Sequence, residues 1–142
     1  MESEKAGALL EGAECYRPGD CAEMNAEILS LMRSGAKTMT CEAWSVYEDG
    51  LEALPVVGRV DIALDWQGRA ALAVRTLQVE KLRYDEMTAD RVAAQGEFRD
   101  LEDWKRGYKA VLTRAGRFAP DVPLMVETFE VVQDLGDHTD VQ

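Results

Sequence analysis

The chain has 142 residues, 46% of them hydrophobic and 30% charged, a length and balance that give one globular domain with its own core rather than several. Its formal net charge of −11 opposes a long phosphate backbone, which proteins hold by neutralising many phosphates with Lys and Arg, so a small ligand suits it better and DNA is not an expected partner. No run reaches the roughly 18 apolar residues of a membrane span, and the start Met1-Glu2-Ser3-Glu4-Lys5 lacks the basic-then-apolar order of a signal peptide, so a cytoplasmic location without membrane contact is expected.

Three cysteines, Cys15, Cys21 and Cys41, are an odd number without close pairing, and the single histidine, His138, lies in a polar tail. Neither a disulfide framework nor a zinc site is supported, and no metal or cofactor is expected. The charge is uneven: residues 1–52 carry 4 basic and 11 acidic side chains, residues 53–117 carry 12 and 10, and the remainder carries 6 acids and no base. The exception to the acidic trend is 99–117, where Arg99, Lys105, Arg106, Lys109, Arg114 and Arg117 outnumber Asp100, Glu102 and Asp103.

Residues 1–13 show no period and are expected to be mobile, with a turn at Tyr16-Arg17-Pro18-Gly19. Asp20 and Glu23 have the form of a capping box, and Met24, Ile28, Leu31 and Met32 follow at helical spacing, so an amphipathic helix is predicted to end at Gly35. Gly35 closes it, and the chain reverses into Lys37-Thr38-Met39-Thr40 at the rim of the following sheet. Lys37 to Trp44 reads as a strand, in which Lys37 and Thr40 share a site only if Lys37 still belongs to the turn, because strand residues three apart point to opposite faces. Residues 47–55 form a loop or a short helical turn.

Gly58 to Trp66 sets Val60, Ile62, Leu64 and Trp66 against Asp61, Ala63 and Asp65, the pattern of a half-buried strand. Gln67-Gly68 turns it into a second strand from Ala70 to about Lys81, with a bulge near Thr76 where the apolar parity changes. A short helix is predicted from Thr88 to Gln95, stopped by Gly96. Asp100 and Asp103 can cap the next helix, whose Leu101, Trp104, Tyr108, Val111 and Leu112 point inward and which ends at Gly116. Core packing is likewise expected of Trp44 and Trp66. Leu124 to Val132 is a strongly apolar last strand, and 133–142 is an acidic tail expected to fray. The order predicts an α+β domain with a curved, mostly antiparallel sheet.

Four motifs now stand in order: Gly35-x-Lys37-Thr38-x-Thr40; Pro55-Val56-Val57-Gly58; Ala94-Gln95-Gly96-Glu97 followed by Leu101-Glu102-x-Trp104-Lys105; and Phe118-x-Pro120-Asp121 with Val126-Glu127-x-Phe129. In these the sequence resembles the ASCH (activating signal cointegrator homology) family over residues 14–132. The resemblance implies a PUA-like, mostly antiparallel β-barrel with flanking helices. It also implies an association with RNA as a binding module, a ribonuclease activity, or an amidohydrolase activity on N4-acetylcytidine, which the single tail histidine and unclustered thiols predict to be metal-independent. The partner is then a nucleoside, a nucleotide or a short single-stranded RNA. Carried over by motif, the catalytic residues are Lys37, Thr40 and Glu97; Thr38, Phe98 and Arg99, beside them in the two turns, are expected to bind the ligand. The family turn often reads Glu-Gly-Glu-Gly-Asp where this chain has Gln95-Gly96-Glu97-Phe98-Arg99, and a His common four residues after the family Trp is Tyr108 here.

A Thr hydroxyl needs an adjacent base, and a lysine with a reference pKa of about 10.4 serves only if burial or a neighbouring cation depresses it. An ionised Glu97 beside Lys37 instead favours the ammonium, which suits Lys37 to an oxyanion or phosphate, whereas a protonated Glu97 is an acid for a departing ring nitrogen. Both assignments stay open on the sequence.

Overall fold

The computed structural model describes residues 13–136; the expected mobile start, apart from Ala13, and His138 lie outside them. The elements are β1 (Cys15–Tyr16), α1 (Ala22–Ser34), β2 (Met39–Ala43), α2 (Trp44–Glu48), β3 (Val60–Leu64), β4 (Ala70–Arg83), a 3-10 turn (Tyr84–Glu86), α3 (Ala89–Gln95), α4 (Leu101–Arg114) and β5 (Pro123–Asp134). The strands form one sheet in the order β1-β3-β4-β5-β2, antiparallel except for the short parallel pair of β1 and β3.

The expected barrel is not closed. Among the described residues β1 and β2 remain opposite edges of the sheet, and β1, two residues long, offers too little backbone for a closing ladder. Curvature comes instead from the long β4–β5 pair, whose register shifts between Thr76 and Gln78, at the bulge that the change of parity predicts. The hairpin turn forms at Gln67-Gly68, where the Gly68 amide donates to the Asp65 carbonyl at 3.0 Å.

Several local expectations change. The capping box of α1 does not form: the helix starts at Ala22 behind Cys21, which gives no side-chain cap, and Asp20 sits one residue too early. Met24 is exposed, while Leu29 and Asn25 join Ile28 and Met32 inside; Asn25 Nδ2 donates to the carbonyls of Pro18 (2.8 Å) and Leu64 (3.1 Å). Trp44 starts α2 rather than ending a strand. The final strand runs on to Asp134, because Gln133 and Asp134 pair with Ala73 and Leu72. β3 is covered on both faces: Ala63 clusters with Ile28 and Leu29 of α1, Ile62 with Ala70 and Ala73, and even Asp61 is buried.

The main core lies between the β2–β5–β4 end of the sheet and helices α3 and α4. Trp104 is fully buried there, its ring stacked between those of Tyr84 (5.2 Å) and Tyr108 (5.1 Å). Burying such a side chain stabilises by roughly 1.5–3 kcal/mol, and its indole N–H must find a partner. It donates to Gln95 Oε1 at 3.2 Å. Gln95 is buried at the last turn of α3 and so ties that turn to the core.

Candidate active site

Two glycine-terminated helices bring the site together. Gly35 takes φ 84° at the end of α1, and the chain folds back so that the Lys37 amide donates to the Leu31 carbonyl at 3.0 Å. Gly96 takes φ 73° at the end of α3 and lies against this turn: a Cβ on Gly96 would stand 2.6 Å from the Ala36 carbonyl oxygen. The Thr38 amide donates to the Ala94 carbonyl at 2.8 Å, locking the two turns together.

Lys37 therefore belongs to the turn and not to the strand, as sharing a site with Thr40 requires. It is not a rim lysine, however, but 4% exposed. Its Nζ donates to Glu97 Oε1 at 2.5 Å, to the Met39 carbonyl at 2.8 Å and to the Gln95 carbonyl at 3.3 Å. Three acceptors match the three N–H bonds of an ammonium and leave none unengaged.

Lys37, Thr40, Glu97 and Phe98 all line one cavity of about 890 Å3. It occupies the gap between the sheet edges, bounded by Tyr16 of β1, by Thr40 and Glu42 of β2, by Tyr47 of α2 and by Tyr108 of α4. Thr38 and Arg99 are not brought to it. Thr38 precedes the strand and lines a second hollow of about 290 Å3 together with Lys37, Arg33 and Ser34. Arg99 is 78% exposed and pairs with Asp103 at 3.6 Å. Tyr108, at the position of the family His, donates its hydroxyl to the Cys41 carbonyl, and burial holds that hydroxyl far above its usual range. Tyr108 fixes β2 and offers no proton near neutrality. The Cys41 thiol is pushed up to about 11 by burial, so it is not a nucleophile.

The sequence reading gave no role to the polar groups opposite Lys37. Arg59 grips Asp61 with both arms, at 2.7 and 3.1 Å, and Glu127 Oε2 accepts the Thr76 hydroxyl at 2.7 Å. Burial raises the Glu127 carboxyl above its ordinary range; the Thr76 hydrogen bond lowers it, Asp61 raises it, and Arg59 and Lys37 lower it. Tyr47 is shifted well up, first by burial and then by nearby carboxylates. An acid inside the apolar run Leu124 to Val132 was the visible signal, since an ionised group enters a core strand only with a partner or a task.

The model of the ASCH domain family matches residues 14–133. The chain belongs to the ASCH family. Among solved structures this ASCH domain is similar to protein EF3133 of Enterococcus faecalis V583, with a TM-score of 0.81 and 27% identity, covering 98% of this chain and 90% of that one. It is also similar to an ASCH domain of Lactobacillus crispatus JV V101, with a TM-score of 0.75 and 21% identity, covering 92% and 88%. A comparison with curated proteins finds no match. Among its described residues the ASCH domain has no helix long and apolar enough to cross a membrane.

Proposed function

We propose that this ASCH domain hydrolyses the N4-acyl amide of a modified cytidine-type nucleoside. The observation that carries the reading is the convergence of the Lys37–Glu97 pair and Thr40 on a single cavity. Its volume of about 890 Å3 falls within the roughly 300–1,000 Å3 of small-molecule sites. Thr40 is the nucleophile. Lys37 is a hydrogen-bond donor to the oxyanion that forms on the acyl oxygen, and its longest contact, to the Gln95 carbonyl at 3.3 Å, is the one most cheaply redirected to a ligand. Glu97 holds and aims Lys37. Phe98 and Tyr47 supply flat apolar surface for a pyrimidine ring.

Incubation with N4-acetylcytidine, followed by chromatography for released cytidine, tests this. Wild type yields cytidine, and Lys37→Met, Thr40→Ala and Glu97→Gln each lose about 10²-fold or more in rate, the range for a positioned transition-state group. Each is compared with its own thermal midpoint, since Lys37 is buried and its removal leaves carbonyls unpaired. Turnover that all three variants retain would sink the mechanism.

A second reading is favoured by one observation: all three N–H bonds of Lys37 are satisfied inside the protein. On that reading the pair is structural and the cavity binds a nucleoside, a nucleotide or a short RNA without turnover. Saturable cytidine binding with neither cytidine release nor RNA fragments would establish it.

A further inference from the structure

Lys37 is engaged with three acceptors inside the protein, so the proposed mechanism needs a base for Thr40 from elsewhere, and the sheet register offers one. Thr40 of β2 and Glu127 of β5 are direct partners in the antiparallel ladder, so their side chains share a face, and both line the cavity. Such partners have Cβ atoms about 4.5–5.5 Å apart, within reach of a glutamate rotamer or one bridging water. The Glu127 carboxyl is held by the Thr76 hydroxyl through Oε2 only. Its Oε1 has no hydrogen-bond donor among the described residues. By contrast Glu97 is committed to Lys37, and Asp61 to Arg59 and the Glu14 amide.

We infer that Glu127 is the proton acceptor for Thr40, a catalytic residue of the hydrolysis proposed above, on which this inference rests. As Thr40 Oγ bonds to the acyl carbon, its proton passes to Glu127. The carbon–N4 bond then breaks with its electron pair on N4, and Glu127 returns the proton there, releasing the amine. Water attacks the Thr40 ester, Glu127 takes the water's proton, and the departing Thr40 oxygen recovers it, leaving a carboxylic acid and the original enzyme. A carboxylate raised by burial is a stronger base than an ordinary one, which helps at a hydroxyl. The charged and titratable groups facing Glu127 are Asp61 and Arg59 from the β3 side, Lys37 from the turn, Tyr16 from β1 and Tyr47 from α2.

The test separates Thr40 activation from substrate identity. The intact protein is treated with p-nitrophenyl acetate over a range of pH, and acetylation is mapped by peptide mass spectrometry, in parallel with N4-acetylcytidine turnover. Wild type is expected to gain an acetyl group on Thr40, at a rate that falls in acid with a midpoint above the ordinary carboxylate range. Glu127→Gln slows this by about 10²-fold or more and removes the acid limb, while Glu127→Asp restores part of the rate. An acetyl group on Lys37 in place of Thr40, no acetylation of Thr40, or an acid limb that survives in Glu127→Gln overturns the inference. Thr40 acetylation dependent on Glu127, without turnover of N4-acetylcytidine, leaves the inference standing and removes the substrate reading.

Discussion

At the residue scale, burial divides the site into two kinds of charge. Lys37 is deep but fully partnered, whereas Glu127 is half-buried with one oxygen engaged, and the pH dependence of stability distinguishes them. The folded state raises the Glu127 carboxyl above its unfolded value, so the folded protein holds that proton more tightly. Its contribution to stability is fully present below the unfolded value of about 4.3 and is lost as pH rises through the folded value. Glu127→Gln keeps an acceptor for Thr76 and removes the ionisation, so at pH 7 its thermal midpoint should exceed that of wild type. Near pH 4 the two should converge; a gap that stays constant with pH would disprove the assignment. Lys37 and Glu97 were legible as a pair because the family resemblance names both, in two of its motifs. Glu127 stood in the same motif set, but its relation to Thr40 exists only once β2 and β5 pair, and strand register between opposite ends of a chain is not written in either strand alone.

At the element scale, signals made of consecutive residues were read correctly: the Gln67-Gly68 hairpin, the bulge near Thr76, and the stops at Gly35 and Gly96. What escaped depends on distant partners. β1 has two residues and exists because it pairs with Ile62 and Ala63, and the openness of the sheet follows from that shortness. Asp20 matched a capping pattern but lost to the tight turn at Gly19, whose Cα approaches Asn25 too closely for any side chain, a Cβ there falling 2.8 Å from the Asn25 amide. The two helix-stopping glycines differ in the same way. Gly35 at φ 84° has nothing within 4 Å of a built Cβ, whereas at Gly96 the Ala36 carbonyl oxygen is 2.6 Å away and belongs to backbone that cannot swing aside. Gly35→Ala should therefore cost only the left-handed penalty of about 1–2 kcal/mol. Gly96→Ala should cost more than about 2 kcal/mol, because it also forces the Lys37 turn away from α3, and it should slow turnover while Gly35→Ala leaves it near wild type. Urea denaturation of both variants checks the order; equal costs would mean that the two turns are not braced against each other.

At the scale of the whole molecule, charge separates a nucleoside from a strand of RNA. Carboxylates lining the cavity outnumber cations eight to three, and the cations are committed: Lys37 to Glu97, Arg59 to Asp61, and Arg17 to the Trp66 carbonyl and ring. The basic stretch 99–117 is partly neutralised too, since Arg99 and Arg106 both pair with Asp103 and Arg117 pairs with Asp49. With a formal charge of −11 over the chain, a phosphate entering the cavity meets repulsion at every distance inside a Debye length of about 10 Å at 0.1 M salt. Cytidine should thus bind more tightly than its 5′-monophosphate by about tenfold, equivalent to about 1.4 kcal/mol. Added salt screens the repulsion, so affinity for the monophosphate should rise with ionic strength while that for cytidine stays flat. A protein that holds RNA through its phosphates behaves in the opposite sense, its affinity falling steeply as counterions are added. Calorimetric titration with both ligands at low and high salt reads the sign directly, and monophosphate binding that is tighter than cytidine and weakens with salt would return the cavity to the RNA-binding reading.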